Sequence, residues 1–262
     1  MEWEDMLALF DREQRIEIVY PDARRERGPH VIRHISETGD RHFILYSDLR
    51  GVDVDAVIAE EQAYFGPLGE VEWKVYEHDE PSDLRERLAA RGFEVEEEET
   101  VLVLDVQDRG RWAAAARALA GQPEEVSVQR LQSVAQLAQV RSIEERVWQE
   151  DFGRLEEQLG GDMAVADYLS VYVATVNGQP ACAGWIYFHP HSQFATLYGG
   201  STMPEHRRRG LYTAVLAARL REAAKRGYGF VTTDASAMSR PILERVGFEA
   251  LTRTWPCVWV KG

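Results

Sequence analysis

The chain has 262 residues, 45% of them hydrophobic and 28% charged, with a formal net charge of −14. That length is long for one domain and comfortable for two, with enough sequence to bury real cores. The acidic balance argues against general nucleic-acid binding, which rests on neutralising phosphates; the longest apolar runs have strand length, which excludes a helical membrane span.

The first residues, Met1-Glu-Trp-Glu-Asp, lack the basic-then-apolar layout of a secretion signal. Residues 3–14 read as a short amphipathic helix, 15–20 alternate as a strand, and 21–30 form a polar, arginine-rich loop. Residues 31–36 and 42–47 predict a hairpin around 37–40. A helix over 53–65 is stopped by Gly66-Pro67. A strand over 70–77, a helix over 82–91 ended by Gly92, and an apolar strand over 100–106 follow. Residues 94–99 hold five glutamates broken only by Val95, which reads as a solvated edge.

An alanine-rich helix over 108–120 closes at Gly121 before Pro123 and marks the domain boundary. Residues 126–131 predict a strand. Ser133-Val-Ala-Gln136 has the spacing of a capping box opening a helix to Trp148, and a second helix spans 152–159. Strands over 170–176 and 179–188 flank Asn177-Gly178, a two-residue hairpin signal. The apolar run 194–198 is a strand, 211–226 a helix, 230–234 a strand, 239–246 a helix and 251–260 the closing strand. Cys182 and Cys257 sit in apolar surroundings, as buried thiols of a reducing, cytoplasmic compartment would. His189-Pro-His191 has no matching Cys or carboxylate cluster, so no metal is expected there.

The chain is organised around Leu197-Tyr-Gly-Gly-Ser-Thr-Met-Pro-Glu-His-Arg-Arg-Arg-Gly-Leu-Tyr-Thr213. A strand delivers the chain, Gly199 and Gly200 loosen it, three arginines and Gly210 form a loop, and a helix begins at once. The first four N–H groups of a helix have no partner within it and face an anion. Arg207, Arg208 and Arg209 concentrate positive charge, and Gly210 lets the backbone approach closely.

This stretch resembles the pyrophosphate loop of the GNAT acyltransferases, Gln/Arg-x-x-Gly-x-Gly/Ala, with Tyr212 in place of the last small residue. A shift of 155 residues then aligns the two halves. Leu88-Ala-Ala-Arg-Gly92-Phe93-Glu94 falls on Leu243-Glu-Arg-Val-Gly247-Phe248-Glu249, and helix-Gly-Phe-strand resembles the closing motif of a GNAT domain. In place of the arginine loop the first half has Asp48-Leu-Arg-Gly-Val-Asp53-Val-Asp55, whose carboxylates would repel a pyrophosphate.

The resemblance implies an α/β fold with a mixed, largely antiparallel sheet flanked by helices, and two GNAT-like domains in tandem. Residues 1–108 would be a degenerate GNAT-like domain, 109–124 a linker helix and 125–262 the acetyltransferase domain. It further implies acetyl-CoA, or another acyl-CoA, as co-substrate, with no metal. Gly200, Ser201 and Thr202 would hydrogen-bond the pantetheine. Arg207, Arg208, Arg209, Gly210, Leu211, Tyr212 and Thr213 would hold the pyrophosphate. Ser236 stands where relatives often place an Asn that touches CoA. Gly199-Gly200 is the place for a bulge that parts the strands.

The reaction implied is direct attack of a neutral amine, carried by a small molecule or a peptide, on the thioester. Asp234, at the end of its strand, is the candidate base; it is equally a turn residue that caps the next helix. Relatives place a Tyr four residues before the Gly of the Gly-Phe pair, and here that position is Leu243. Tyr198 or Tyr212 could supply the acid instead, or serve only in packing. Leu243 leaves a second reading open, a catalytically weak or inactive acyl-CoA sensor or interaction module. A third, transfer from aminoacyl-tRNA, is disfavoured by the acidic balance. The expected partner is the amine alone, without nucleic acid or membrane, on a monomer or homodimer.

Overall fold

The computed structural model describes residues 2–37 and 41–261, so most of the hairpin tip expected at 37–40 lies outside the described residues. The chain divides into two compact units. The first comprises Met1–Leu102, Asp234–Ile242 and Glu249–Gly262, the second Val103–Thr233 and Leu243–Phe248.

In chain order the elements are α1 (Trp3–Phe10), β1 (Ala23–Arg27), β2 (Val31–Ser36), β3 (Arg41–Ser47), α2 (Val54–Phe65), β4 (Glu70–Tyr76), α3 (Leu84–Ala90), β5 (Glu94–Val95) and β6 (Glu99–Asp105). Then come α4 (Ala113–Ala120), β7 (Val126–Arg130), α5 (Ala138–Trp148), α6 (Gly153–Ala164), β8 (Leu169–Val176), β9 (Gln179–Phe188), β10 (Phe194–Thr202), α7 (Leu211–Arg226), β11 (Phe230–Ala235), α8 (Arg240–Val246) and β12 (Glu249–Trp259). The fold is the expected one, α/β with largely antiparallel pairing and helices over the sheet.

In the first unit the strand order is β1-β2-β3-β4-β12-β6, with β5 also against β12. β1 with β2, β2 with β3, and β12 with β4 and β5 pair antiparallel, whereas β3 pairs with β4 in a parallel register that runs from Arg41↔Glu70 to Ile44↔Trp73. Helices α2 and α3 bury Ile58, Phe65, Leu84 and Leu88 against Ile44, Trp73 and Cys257. Two local expectations fail here. Residues 15–20 do not form a strand: α1 continues as a π-helical turn, Asp11–Ile16, because Arg15 is drawn inward by charge. Its guanidinium donates to Asp11 Oδ1 (2.8 Å), Asp79 Oδ1 (2.6 Å) and the Leu45 carbonyl (3.0 Å). The polar run 21–30 holds strand β1, which needs no apolar face because it pairs through its backbone with β2 at the edge of the sheet.

The Arg15 contact also occupies the edge of β3. The parallel pairing of β3 ends at Ile44, and the next carbonyl, Leu45, is already taken by Arg15. At the start of α2, Asp53 Oδ1 accepts the Ala56 N–H at 3.2 Å, placing a carboxylate where an anion would need bare amides.

In the second unit the order is β11-β10-β9-β8-β7, antiparallel except for β10 with β11. Asn177 and Gly178 turn the β8–β9 hairpin with φ of 51° and 77°. Helix α7 covers one face, where Leu211 and Val215 pack on Ala174, Val176, Ala181 and Cys182. Helices α5 and α6 cover the other, burying Val140, Ile143 and Leu159 against Val171, Val173, Trp185 and Tyr187.

The repeat is explicit in the closing motifs. Phe93 N donates to Leu88 O (3.1 Å) and Gly92 N to Ala89 O (3.0 Å); Phe248 N donates to Leu243 O (3.2 Å) and Gly247 N to Glu244 O (3.0 Å). Both glycines have positive φ, so each half closes a helix with the same left-handed cap. The expected domain limits differ from the compact units in two ways. The alanine-rich helix α4 is grouped with the second unit, with Trp112 Nε1 donating to Val106 O (3.1 Å). Strand β12 joins the first unit, pairing with β4 from Thr254↔Tyr76 to Trp259↔Val71. A strand's partner is set by non-local pairing that its own residues do not encode.

Candidate active site

The second unit supplies the geometry. The β10 ladder with β11 covers Phe194–Thr196 against Phe230–Thr232 only, whereas its ladder with β9 continues to Thr202↔Cys182. Just past the parting, Thr233 Oγ1 donates to Leu197 O at 3.0 Å. Among the described residues, the edge of β10 beyond that point has no strand on the β11 side. The expected irregularity is present: the β9–β10 register shifts between Gly199 and Ser201. Gly199 and Gly200 have φ of 68° and 113°, a conformation side chains rarely adopt. Neither has room for a Cβ, which at Gly199 would lie 2.3 Å from the Trp185 ring and at Gly200 2.6 Å from the Tyr212 ring.

That last contact accounts for the unusual residue in the arginine loop. Tyr212 occupies the space that the missing Gly200 side chain leaves. Gly210, with φ of 77°, precedes α7, and no side chain caps the helix. Leu211 is buried in the core, while Tyr212 and Thr213 are half-buried. Arg207 Nε donates to Thr202 O (3.2 Å), tying the loop to β10. Arg209 lies 3.5 Å from Glu125 and 3.3 Å from His206 Nδ1. Arg208 is exposed, with a φ of 63°. Gly200, Ser201, Thr202 and residues 207–213 thus share one unit and one run of backbone from the bulge to the helix mouth.

Two predicted residues fall elsewhere. Asp234 and Ser236 belong to the first unit. Asp234 Oδ2 accepts from Lys74 Nζ at 2.6 Å, and Glu99 lies 3.4 Å from the same nitrogen. Burial works against the Lys74 charge, but Asp234 foremost, with Glu99 and Glu72, holds its pKa well above the ordinary lysine value. In the structure Asp234 thus serves as the counter-ion of Lys74. Asp234→Asn should therefore cost about 1–3 kcal/mol of stability. A lower urea midpoint at unchanged slope would show this; full stability with lost turnover would restore Asp234 as the base. Ser236 Oγ accepts the Ser239 N–H (3.4 Å) ahead of α8.

Tyr198 stands just before the bulge, 44% exposed, its ring edge-on to Tyr187 with centroids 5.4 Å apart. Leu243 is buried and apolar. Cys182 is buried, accepts from Thr202 Oγ1 (3.3 Å), and burial pushes its thiol pKa up to about 11, which makes it a poor nucleophile. His189 is buried beside Tyr168 and Tyr187.

The sequence reading missed Glu144. It lies on the core face of α5, 3% exposed. Its Oε2 accepts from Ser201 Oγ (2.6 Å) and Trp148 Nε1 (3.0 Å), while Oε1 is buried without a partner. Burial raises its pKa above the ordinary carboxylate value, although the two donated hydrogen bonds pull the other way. The signal was present in the spacing: Val140, Ile143, Glu144 and Val147 fall on one helical stripe, so a carboxylate had to face the sheet.

Residues 137–248 match the model of the acetyltransferase (GNAT) family. No curated protein matches the chain. Among solved structures, a GCN5-related N-acetyltransferase from Kribbella flavida superposes with a TM-score of 0.67 at 15% identity, over 99% of this chain and 94% of that one. A tandem GNAT protein from the clavulanic acid biosynthesis pathway gives a TM-score of 0.65 at 15% identity, with coverage of 99% and 94%. A conserved protein of unknown function from Staphylococcus epidermidis gives 0.66 at 12% identity, covering 92% of this chain and 95% of that one. The parted β10 edge, the uncapped helix and these matches lead to one statement: residues 137–248 match the GNAT acetyltransferase family, within a chain that has the fold of tandem GNAT proteins.

Proposed function

We propose that the second unit is an acetyl-CoA-dependent N-acetyltransferase acting on a primary amine of a small molecule or peptide. The observation that carries this reading is the parting of β10 from β11 directly before a helix that starts without a cap. The open edge at Gly200–Thr202 fits an extended amide chain, which would pair with it as an added strand. The amides at the mouth of α7, with Arg207, Arg208 and Arg209, fit a diphosphate. In the first unit the corresponding positions hold Arg15 and Asp53, so that half serves as scaffold.

Glu144 is the base in this reading, in place of Asp234. Its lone oxygen is the buried acceptor beside the bulge, and a raised pKa suits a group that must take a proton near neutrality. The amine lone pair attacks the thioester carbon and the carbonyl electron pair moves onto oxygen. When that pair returns, the C–S bond breaks with its electrons on sulfur, and the nitrogen's proton passes to Glu144. Tyr198, exposed beside the bulge, is the candidate to supply the thiolate with a proton.

Calorimetry with acetyl-CoA, followed by thiol release against a panel of amines, tests the proposal. Saturable binding with turnover is expected. Binding without turnover for any amine would favour the sensor reading, which the apolar Leu243 supports. Two buried free thiols fit a cytoplasmic setting.

A further inference from the structure

Arg219 lies in the middle of α7, 1% exposed, with no carboxylate among its partners. Its Nη1 donates to the carbonyls of Trp185 (3.1 Å) and Tyr198 (3.0 Å), and its Nε to Val215 O (3.4 Å). Space for the guanidinium comes from Gly184, where a Cβ would fall 2.8 Å from Arg219 Cζ. A buried charge compensated only by carbonyl dipoles is expensive, and an apolar side chain of similar volume would fill this core at lower cost. The charge therefore needs a reason beyond packing.

Its position relative to the bulge supplies one. Backbone groups alternate in direction along a strand. The Leu197 carbonyl faces β11, where Thr233 reaches it, so the Tyr198 carbonyl faces β9, where Arg219 holds it. The peptide bond between Tyr198 and Gly199 is trans, so its N–H points opposite to its carbonyl. With the carbonyl pinned, the Gly199 N–H is directed to the β10 edge that β11 has left. Positive φ at both Gly199 and Gly200 leaves this peptide the freedom to turn, and Arg219 removes it.

We propose that Arg219 is a positioning residue for acyl transfer: it holds the Tyr198–Gly199 peptide so that the Gly199 N–H donates to the thioester carbonyl oxygen as charge builds there. This rests on the acyl-CoA reading above. A donor fixed in advance is worth more than one that must reorganise, which is the physical basis of oxyanion stabilisation.

The test is the carbon-13 resonance of carbonyl-labelled acetyl-CoA bound to the protein, beside calorimetry with CoA itself. In the wild type the carbonyl signal should move downfield on binding, as a hydrogen bond polarises it. Arg219→Met should lose that shift while CoA affinity stays within about twofold, equivalent to ~0.4 kcal/mol. Gly184→Ala keeps the charge but displaces the guanidinium, and should reduce the shift; it decides the matter if Arg219→Met does not fold. Arg219→Lys, which keeps a charge without the planar guanidinium, should restore part of it. An unchanged shift in Gly184→Ala or Arg219→Met, or no shift in a wild type that binds CoA, overturns the proposal. A wild type that binds neither acetyl-CoA nor CoA overturns the acyl-CoA reading itself.

Discussion

Replacing Arg208 and Arg209 together by glutamate should weaken acetyl-CoA binding by roughly 10²–10⁴-fold. Each charge-assisted hydrogen bond to a buried or partly buried anion is worth about 1.5–3 kcal/mol, and every ~1.4 kcal/mol is a factor of ten in affinity. The reversal adds repulsion at a helix mouth whose dipole favours negative ligands. Fold stability should move little, since Arg208 is exposed and the Arg209–Glu125 pair, at 3.5 Å with both side chains about 40% exposed, belongs to a class worth about 0–1 kcal/mol. Calorimetry checks affinity and a thermal melt checks the fold. Undiminished binding in a folded double variant would remove the diphosphate from this loop. A loss that disappears at high salt would show that long-range charge, rather than contact, held the ligand.

The arginine loop was legible because its chemistry is local. Strand, paired glycines, arginines, Gly210 and helix start are contiguous, and their backbone geometry follows from residue type. The two Gly-Phe caps were legible for the same reason. What the sequence did not show depends on packing between distant segments. Arg15 stood at the head of an alternating segment and Arg219 within a helix, and each is buried, donating to a strand carbonyl in another part of the chain. Arg219 follows Val215 and precedes Ala223 by one helical turn each, which puts it on the core stripe. Asp234 read as a candidate base or a cap of the next helix because Lys74, its partner, is far away in sequence. Strand β12 carries the apolar pattern of any closing strand, and nothing in that pattern names β4 as its neighbour.

Glu144→Gln should lower turnover by about 10²–10⁴-fold, the range for loss of a positioned general base, with acetyl-CoA affinity retained. The substitution is nearly isosteric, and the amide oxygen can still accept from Ser201 and Trp148, leaving the amino group where Oε1 stood. The wild-type rate should rise with pH through the Glu144 pKa, which burial lifts above its ordinary value of 4.5. The variant should lose that limb. Stability should change in the opposite sense to activity. A carboxyl group whose pKa is higher folded than unfolded stabilises the fold below its unfolded pKa, and that contribution is lost as pH rises through the folded pKa. The glutamine variant has nothing to ionise, so it should melt higher than the wild type at neutral pH and no higher near pH 4. A site that carries an unpaired buried carboxylate for chemistry sacrifices stability in this way. Wild-type turnover in the variant would place the base elsewhere, and an unchanged melting temperature at neutral pH would mean that Oε1 meets solvent after all.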